Sequence, residues 1–335
     1  MTIKDLSRQT GYSVGTISRV LNNQPNVSEK AKEIILKAAE ECNFQLNANA
    51  KQLKQQHGTS IVVISKGISN ELFSRMVEAL QARVAQTSYP LVVEYIDEND
   101  NEVHRALQLC LEKKPLGLLF LGGNRKNFRE DFDKISVPSV LVTNNAEGLP
   151  FANLSSVSSD DALAAQMAID HLVSLGHRKI AVLGGNRETS EITNLRYQGC
   201  CKAFQSHGIV FDDATDYISA RFSFADGYRA AKDLLKQGRQ FTALFAMSDV
   251  MAIGAIRALR DSGLRVPEDV SVMGFDGLDL GEYTTPRLAS VCQNVDAMAQ
   301  ESLNLLLQYI EQNAPSQHKT IPVYPEWRES TRKID

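Results

Sequence analysis

Over the first 42 residues, hydrophobic positions recur every three or four residues, a spacing typical of amphipathic helices. Ile3 and Leu6 share one face of a first predicted helix, which ends at Gly11 because glycine tolerates a positive φ. Ser13 can cap a second helix, and a third is predicted over residues 29–42. The second helix places on one face its apolar residues Ile17, Val20 and Leu21.

From Ile61 onward the pattern changes to short apolar runs that alternate with amphipathic stretches. Such alternation predicts parallel sheets covered by helices. The runs form two sets, and both contain the phrase LGGNR, ending at Arg125 and Arg187. We interpret the phrases as strand-end turns, since no Lys-Ser/Thr follows to make a P-loop. The predicted strands are 61–64, 91–95, 117–121 and 139–142 in the first set, and 180–183, 216–219, 243–246 and 271–275 in the second.

The face of the second helix opposite its apolar side is small or able to form hydrogen bonds. A short helix with such a face, presented after a tight turn, can enter the major groove of DNA. The alternative is an ordinary helical hairpin in a core. This face consists of Val14, Gly15, Thr16, Ser18, Arg19 and Asn22.

Charge is distributed unevenly along the chain. The 335 residues carry a net charge of −4, which alone would argue against nucleic acid. Residues 1–57, however, carry eight basic and five acidic side chains, so that end has a charge of +3 and the remainder −7. A basic end on an acidic body is the asymmetry expected where one end meets phosphates.

The motifs TIKD, TGYS and TISRVLN, between Thr2 and Asn22, closely resemble the DNA-binding headpiece of the LacI/GalR family of bacterial transcription regulators. The resemblance continues through VSSDDALAAQMAIDHLVSLGHRKIAVLGG from Val157 and LRYQGCCKAF from Leu195. It ends with SDVMAIGAIRALRDSGLRVPEDVSVMGFDG from Ser248 and RESTR from Arg328. The resemblance implies the fold class: an all-α helix-turn-helix headpiece, then a two-lobed α/β periplasmic-binding-protein-like core with parallel sheets.

For DNA, the resemblance implies that Val14 and Gly15 face base edges and that Arg19 contacts a base or a phosphate. A bidentate arginine–guanine pair supplies about 1–3 kcal/mol of discrimination. Gly15 has no side chain to offer, so part of the half-site would be read by contact of Val14 with a thymine methyl group. The resemblance assigns phosphate contacts to Thr2, Ser13, Thr16 and Asn22.

The stretch from Asn47 to Leu53 resembles the hinge helix of the family, which pairs with its dimer mate in the minor groove. Leu53 would wedge into the central base step, a distortion repaid by a bent duplex that touches more protein. Ala50 would let the paired helices approach, and Asn47 opens the helix. The family usually has proline before that asparagine, whereas this chain has Leu46.

In the core, the resemblance implies an effector site between the lobes. Arg196 would offer a planar fork of donors to hydroxyls or a carboxylate, and Asp276 would accept from hydroxyls. Phe222, or nearby Phe224, would stack on the ligand. The site would be completed by Phe73, Ser248 and Asp249. The chain departs from the family with Asp161 in place of asparagine and with Gly277 after Asp276.

The predicted division is a headpiece at 1–46, a hinge and linker at 47–57, and two lobes. The first lobe would comprise 58–176 and 291–319, the second 177–290 and 320–335. The expected function is that of an operator-binding repressor, a homodimer on near-palindromic DNA. A small effector would control its DNA affinity; a carbohydrate is favoured, and a purine or phosphosugar stays open.

Two other classes of protein are alternatives to this function. A solute-binding protein would need an export signal and would lack the headpiece. A cytosolic enzyme would need a convergent catalytic constellation, but the six histidines are scattered without ligand-like spacing. We therefore expect no catalysis, no metal and no cofactor. The five cysteines are odd in number and without metal spacing, so buried free thiols in a cytoplasmic protein are expected.

Overall fold

The computed structural model describes residues 3–21, 27–42, 58–67 and 70–334, and it divides the chain into two compact units. The first unit, the headpiece, extends to Gly58, and the second, the core, begins at Thr59. Each unit has its own hydrophobic cluster. The predicted fold class, a helical headpiece and a two-lobed α/β core, is confirmed.

Three helices make up the described part of the headpiece. They are α1 (Ile3–Thr10), α2 (Val14–Leu21) and α3 (Glu29–Glu41). Gly11 joins the first two with a φ of +75°, a left-handed conformation that costs glycine little. The side chain of Ser28 caps α3 by accepting from the amide of Ala31. One apolar cluster joins the three helices through Leu6, Ile17, Val20, Ile35 and Ala39.

The first lobe of the core is built on a six-stranded sheet in which every strand pair is parallel. Its order is β11-β5-β4-β3-β1-β2. The strands are β1 (Ile61–Lys66), β2 (Leu91–Ile96), β3 (Gly117–Leu121), β4 (Ser139–Val142), β5 (Leu154–Ser158) and β11 (His318–Thr320). The helices of this lobe are α4 (Glu71–Val84), α5 (Glu102–Lys113), α6 (Arg125–Asp131) and α12 (Val295–Gln312).

The second lobe repeats the plan with six strands in the order β12-β10-β9-β8-β6-β7, in which only the β12–β10 pair is antiparallel. The strands are β6 (Ile180–Gly184), β7 (Tyr217–Ser219), β8 (Ala243–Ala246), β9 (Ser271–Asp276), β10 (Ala289–Cys292) and β12 (Tyr324–Glu326). The helices are α7 (Asp161–Ser174), α8 (Glu191–Ser206), α9 (Asp213–Asp216), α10 (Phe224–Lys236) and α11 (Asp249–Arg260).

The position of α7 corrects the predicted division of the core. The prediction assigned residues 58–176 to the first lobe, but α7 packs against α8 and beneath β8, β9 and β10. Its apolar face joins the buried cluster of the second lobe through Ala164, Ala168 and Leu172. The chain therefore crosses between lobes directly after β5, because the buried face of α7 fits the second sheet. It crosses again after β10 and after β11.

Close packing of α7 on α8 depends on Gly199, which leads to a stability prediction. A Cβ atom at Gly199 would lie 2.0 Å from the carbonyl oxygen of Ala162. Because that neighbour is backbone, the helices would have to separate. We expect Gly199→Ala to lower the free energy of unfolding by about 1–3 kcal/mol, measured by urea denaturation.

The control for that prediction is Lys202→Ala, which changes an exposed position on the same helix. Its expected effect on the free energy of unfolding is within about 0.5 kcal/mol. Equal effects of the two substitutions would contradict the tight helix contact that we describe.

Candidate functional site

In the headpiece, α2 buries one face and exposes the other. Ile17 and Val20 lie in the cluster, whereas Val14, Gly15 and Arg19 are exposed. Ser13 caps the helix, with its Oγ accepting from the amide of Thr16 at 3.1 Å and lying 2.9 Å from the hydroxyl of Thr16. The predicted small, polar face is therefore the exposed one, which is the condition for entry into a groove.

Several residues predicted to contact DNA lie outside the described part of the chain. These are Thr2, Asn22, Asn47, Ala50 and Leu53. The departure at Leu46 lies there too. Their assignment to phosphates and to the minor groove stays a prediction.

A cleft of about 540 Å³ lies between the two lobes of the core. It is lined at the carboxyl ends of the parallel strands, which is where ligands bind in open α/β sheets. Five of the six predicted effector residues line it: Phe73, Arg196, Phe222, Ser248 and Asp276. Of the two phenylalanines left open for the second lobe, Phe222 lines the cleft and Phe224 does not.

Arg196 extends from α8 into the floor of the cleft and is 5% exposed. Its Nε donates to Asp161 Oδ1 at 2.7 Å, and its Nη1 donates to the carbonyl oxygen of Met247. Nη2 lies 3.7 Å from Asp276 Oδ1, and the guanidinium carbon lies 3.7 Å above the ring of Phe275. Of the two carboxylate contacts of Arg196, the one with Asp161 is therefore the closer, and the one with Asp276, in the same lobe, is the looser.

Asp276 ends β9 with a φ of +106°, a conformation that a side chain adopts only at a cost. Its Oδ1 accepts from Gln293 Nε2 at 2.8 Å. Burial raises the pKa of this carboxyl to about 6, although the Arg196 guanidinium opposes the rise. The strained turn directs a carboxylate acceptor into the cleft, where it is available to hydroxyl donors.

Two aromatic side chains line the cleft from opposite lobes, and a glycine makes room for each. A Cβ atom at Gly122 would lie 2.9 Å from the ring of Phe73, and one at Gly185 would lie 2.9 Å from the ring of Phe222. Both glycines belong to the repeated LGGNR phrases. The repeat therefore has a packing explanation, consistent with the interpretation of the phrases as strand-end turns.

Asp249 does not take the predicted place in the cleft. Its side chain is fully buried in the second lobe and is not among the lining residues. Oδ2 accepts from the amide of Leu278 at 2.6 Å and Oδ1 from the hydroxyl of Ser290 at 2.7 Å. The sequence placed it correctly at a strand end, but these two donors hold the carboxylate in the buried interior, where it does not line the cleft. We correct its role to that of a structural anchor for the turn after β9.

The Asp249 carboxyl predicts a pH dependence of stability. Burial and the nearby Asp276 raise its pKa to about 8, above about 3.9 for an unfolded aspartate. Folding therefore favours the proton, and the stabilisation is complete below pH 4 and is lost as pH rises towards 8. Asn cannot titrate at this position. We therefore expect the free energy of unfolding of Asp249→Asn, measured by urea denaturation, to rise by about 1 kcal/mol or more relative to that of the wild type between pH 5 and 8.

Asp233→Asn, on the exposed face of α10, is the matched control because it removes the same charge far from Asp276. Its pH profile should follow that of the wild type. An Asp249→Asn profile parallel to both would refute the assigned shift.

The cleft also contains residues that sequence reasoning missed. Lys66 lines it and pairs with the fully buried Glu102 at 2.6 Å, while Arg221 pairs with Glu98 of the other lobe. Gln293, next to β10, holds Asp276. The one available signal was position, since each of these residues ends or closely follows a short apolar strand.

No group of three or more His, Cys, Asp or Glu side chains that could hold a metal ion occurs in residues 3–21, 27–42, 58–67 and 70–334. Within the same residues, no helix is long and apolar enough to cross a membrane. The five cysteines are free, as expected, but only Cys200 and Cys292 are buried, and the other three are half-buried.

Comparison with known proteins agrees with this architecture. Residues 2–47 match the family described as bacterial regulatory proteins, lacI family, and residues 169–331 match a periplasmic binding protein-like domain. The combination defines a class: transcriptional regulators with a helix-turn-helix headpiece and a periplasmic-binding-protein-like core. One relative, the HTH-type transcriptional regulator MalR of Clostridium butyricum, is 34% identical over 323 residues, 95% of each chain. The chain belongs to the LacI family.

Other similar proteins cover nearly the whole chain. The ribose operon repressor of Haemophilus influenzae is 29% identical over 325 residues, 97% of this chain and 96% of its own. A structure of the Lac repressor dimer bound to operator and the anti-inducer ONPF matches with a TM-score of 0.83, 27% identity and 99% coverage of both chains. A complex of the transcriptional regulator CelR with cellobiose matches with a TM-score of 0.73, 25% identity and 98% and 99% coverage.

Proposed function

We propose that this protein is a repressor that binds a near-palindromic operator as a homodimer and is controlled by a sugar in the cleft between its lobes. The observation that carries the proposal is the juxtaposition of Arg196 and Asp276 in a cleft lined by Phe73 and Phe222. Hydroxyl groups suit the polar pair, and the aromatic rings suit the apolar faces of a sugar ring. Two similar structures support a carbohydrate: the complex of CelR with cellobiose, and a LacI family transcriptional regulator from Enterococcus faecium with bound ribose.

The proposed DNA contacts are those of the exposed face of α2, with Val14 and Gly15 at base edges and Arg19 at a guanine. The operator-bound dimer of the Lac repressor supports two headpieces on one two-fold axis. We also propose the headpiece at 1–46, the hinge at 47–57, and a cytoplasmic location. Because the relatives are transcriptional regulators, we propose no enzymatic activity.

Ligand control would act through the angle between the lobes. The chain crosses between lobes at three places, and Ser159 in the first crossing donates to Gln293 in the second at 3.1 Å. Gln293 in turn donates to Asp276. A ligand bound to Asp276 would therefore be connected to two of the crossing segments by the hydrogen bonds of the Gln293 side chain. The resulting change in DNA affinity can be only as large as the ligand's differential affinity for the two lobe arrangements.

The test is selection of operator sequences by the full-length protein, followed by fluorescence anisotropy on the selected duplex with and without ribose, maltose and cellobiose. Selection of a sequence with two-fold symmetry and a change in affinity with one sugar are the expected results. Failure to enrich any sequence would overturn the proposed regulator, whereas enrichment without a response to sugars would overturn only the proposed effector class.

The same assay carries a prediction for Arg19. We expect Arg19→Ala to weaken binding to the selected operator by about 1–3 kcal/mol, a loss of roughly 5- to 150-fold, and to relax the preference at one base. Lys37→Ala, at an exposed position of α3, is the control for loss of one positive charge. An equal loss on scrambled DNA would show that Arg19 contacts only phosphate.

A further inference from the structure

We infer that the cleft accepts an uncharged, hydroxyl-rich ligand and rejects phosphorylated or carboxylated ones, and that Asp161 sets this selectivity. The inference rests on the proposed effector-binding role of the cleft. It is carried by the way in which the charged side chains at the cleft are already paired within the protein.

Among the described residues, three cationic side chains line the cleft, and each already has a carboxylate partner. Lys66 binds Glu102, which is fully buried, at 2.6 Å. Arg221 binds Glu98 across the cleft mouth. Arg196 donates from Nε to Asp161 and from Nη1 to the carbonyl oxygen of Met247. An incoming phosphate would have to displace one of these partners.

Carboxylates outnumber the cations at the cleft surface. Within the described chain, six of them line it: Glu71, Asp97, Glu98, Glu191, Asp226 and Asp276. Asp161 adds a seventh just behind the lining, 3% exposed and held by Arg196. An anionic ligand could therefore be held only by a cation freed from its carboxylate partner, because unpaired charge is costly in a partly desolvated site.

Three helix N-termini beside the cleft are already partly satisfied. Free N-terminal amides would attract anions, but at each of these three a side chain of the protein already accepts from one first-turn amide. Asn70 accepts from Phe73, Ser190 from Thr193, and Ser223 from Asp226. Hydroxyl groups, by contrast, can donate to Asp276 without breaking any of these contacts.

Asp161 is the decisive position because it holds Arg196 most closely. The family usually has asparagine there, and an asparagine oxygen could accept the same hydrogen bond without neutralising the guanidinium. Asp161→Asn should then leave a positive charge at the floor of the cleft that an anion can bind. The substitution keeps the size of the side chain, so the packing of α7 should persist.

The experiment measures thermal unfolding of the full-length protein at constant ionic strength. The ligands are inorganic phosphate and the pairs ribose and ribose 5-phosphate, and glucose and glucose 6-phosphate. No phosphorylated compound should stabilise the wild type. At saturating concentration, at least one should raise the midpoint of Asp161→Asn by about 2–4 °C. Asp233→Asn, which removes one exposed charge on α10, should behave like the wild type.

A rise in the wild-type midpoint with any phosphate would overturn the inference, and that result does not depend on the folding of the variant. Absence of stabilisation in folded Asp161→Asn would also overturn it, since Asp161 would then not be what excludes anions. Neither outcome affects the test of operator selection, which depends on the headpiece. The proposed regulator and this inference can therefore fail separately.

Discussion

Replacing Arg196 with alanine is expected to lower the free energy of unfolding of the second lobe by about 3–5 kcal/mol. The substitution leaves Asp161 and Asp276, 3% and 7% exposed, without their shared cation. Burial already raises the pKa of both carboxyls, and loss of the cation would raise each further. Since raised folded-state pKa values stabilise at low pH and lose that effect as pH rises, the deficit should be larger at pH 8 than at pH 5.

Urea denaturation of the wild type and two further variants tests this expectation. Arg257→Ala removes an arginine that is 72% exposed and paired with Asp261 on the same lobe, and it should cost about 1 kcal/mol or less. Adding Asp161→Asn to Arg196→Ala should recover part of the loss, because one uncompensated charge is removed. If Arg196→Ala lowers the free energy of unfolding at pH 8 by no more than Arg257→Ala does, the buried ion pair does not stabilise the fold as its geometry indicates.

Three predicted strands have the bounds of the structure, and in each of them every residue is buried and only Ser139 is polar. Gly117–Leu121 and Ala243–Ala246 have the predicted bounds because every side chain in them is buried between helices. Leu154–Ser158 was not predicted, since three of its five residues are serines. Their polarity is compensated at long range: Ser156 Oγ accepts from the amide of Ala146, and Ser155 Oγ accepts from the amide of Gln317. Such compensation cannot be seen in a local pattern.

The site was predictable to the extent that the resemblance to the family carried it. The resemblance placed Asp276 at the cleft, and position at a strand end placed Ser248 there. The same position failed for Asp249, whose orientation depends on Leu278 and Ser290. The role of Asp161 was missed although its identity was noted. Its ion pair with Arg196 exists only because α7 crosses to the second lobe. Predicting that contact requires knowing which sheet a helix covers, and the periodicity of the helix leaves this open.

Removal of residues 1–58 is expected to abolish DNA binding while leaving the core folded. The core is a compact unit with its own sheets and clusters, so its thermal midpoint should stay close to that of the full chain. Without the headpiece the chain loses the exposed face of α2 and retains a net charge of about −7. An acidic body of this kind gains nothing from the release of counterions, which provides essentially all non-specific affinity for DNA.

Fluorescence anisotropy on the selected operator, over a series of salt concentrations, distinguishes this expectation from a partial loss. Specific complexes have dissociation constants of about 10⁻⁸–10⁻¹¹ M, and the truncated protein should show no binding at micromolar concentration even in low salt. Binding of a sugar that shifts the full-length protein should be retained by the truncated one, because the cleft is formed by the core alone. Residual operator affinity would mean that the core itself contacts DNA. The assignment of DNA binding to α2 and of ligand binding to the cleft would then be wrong.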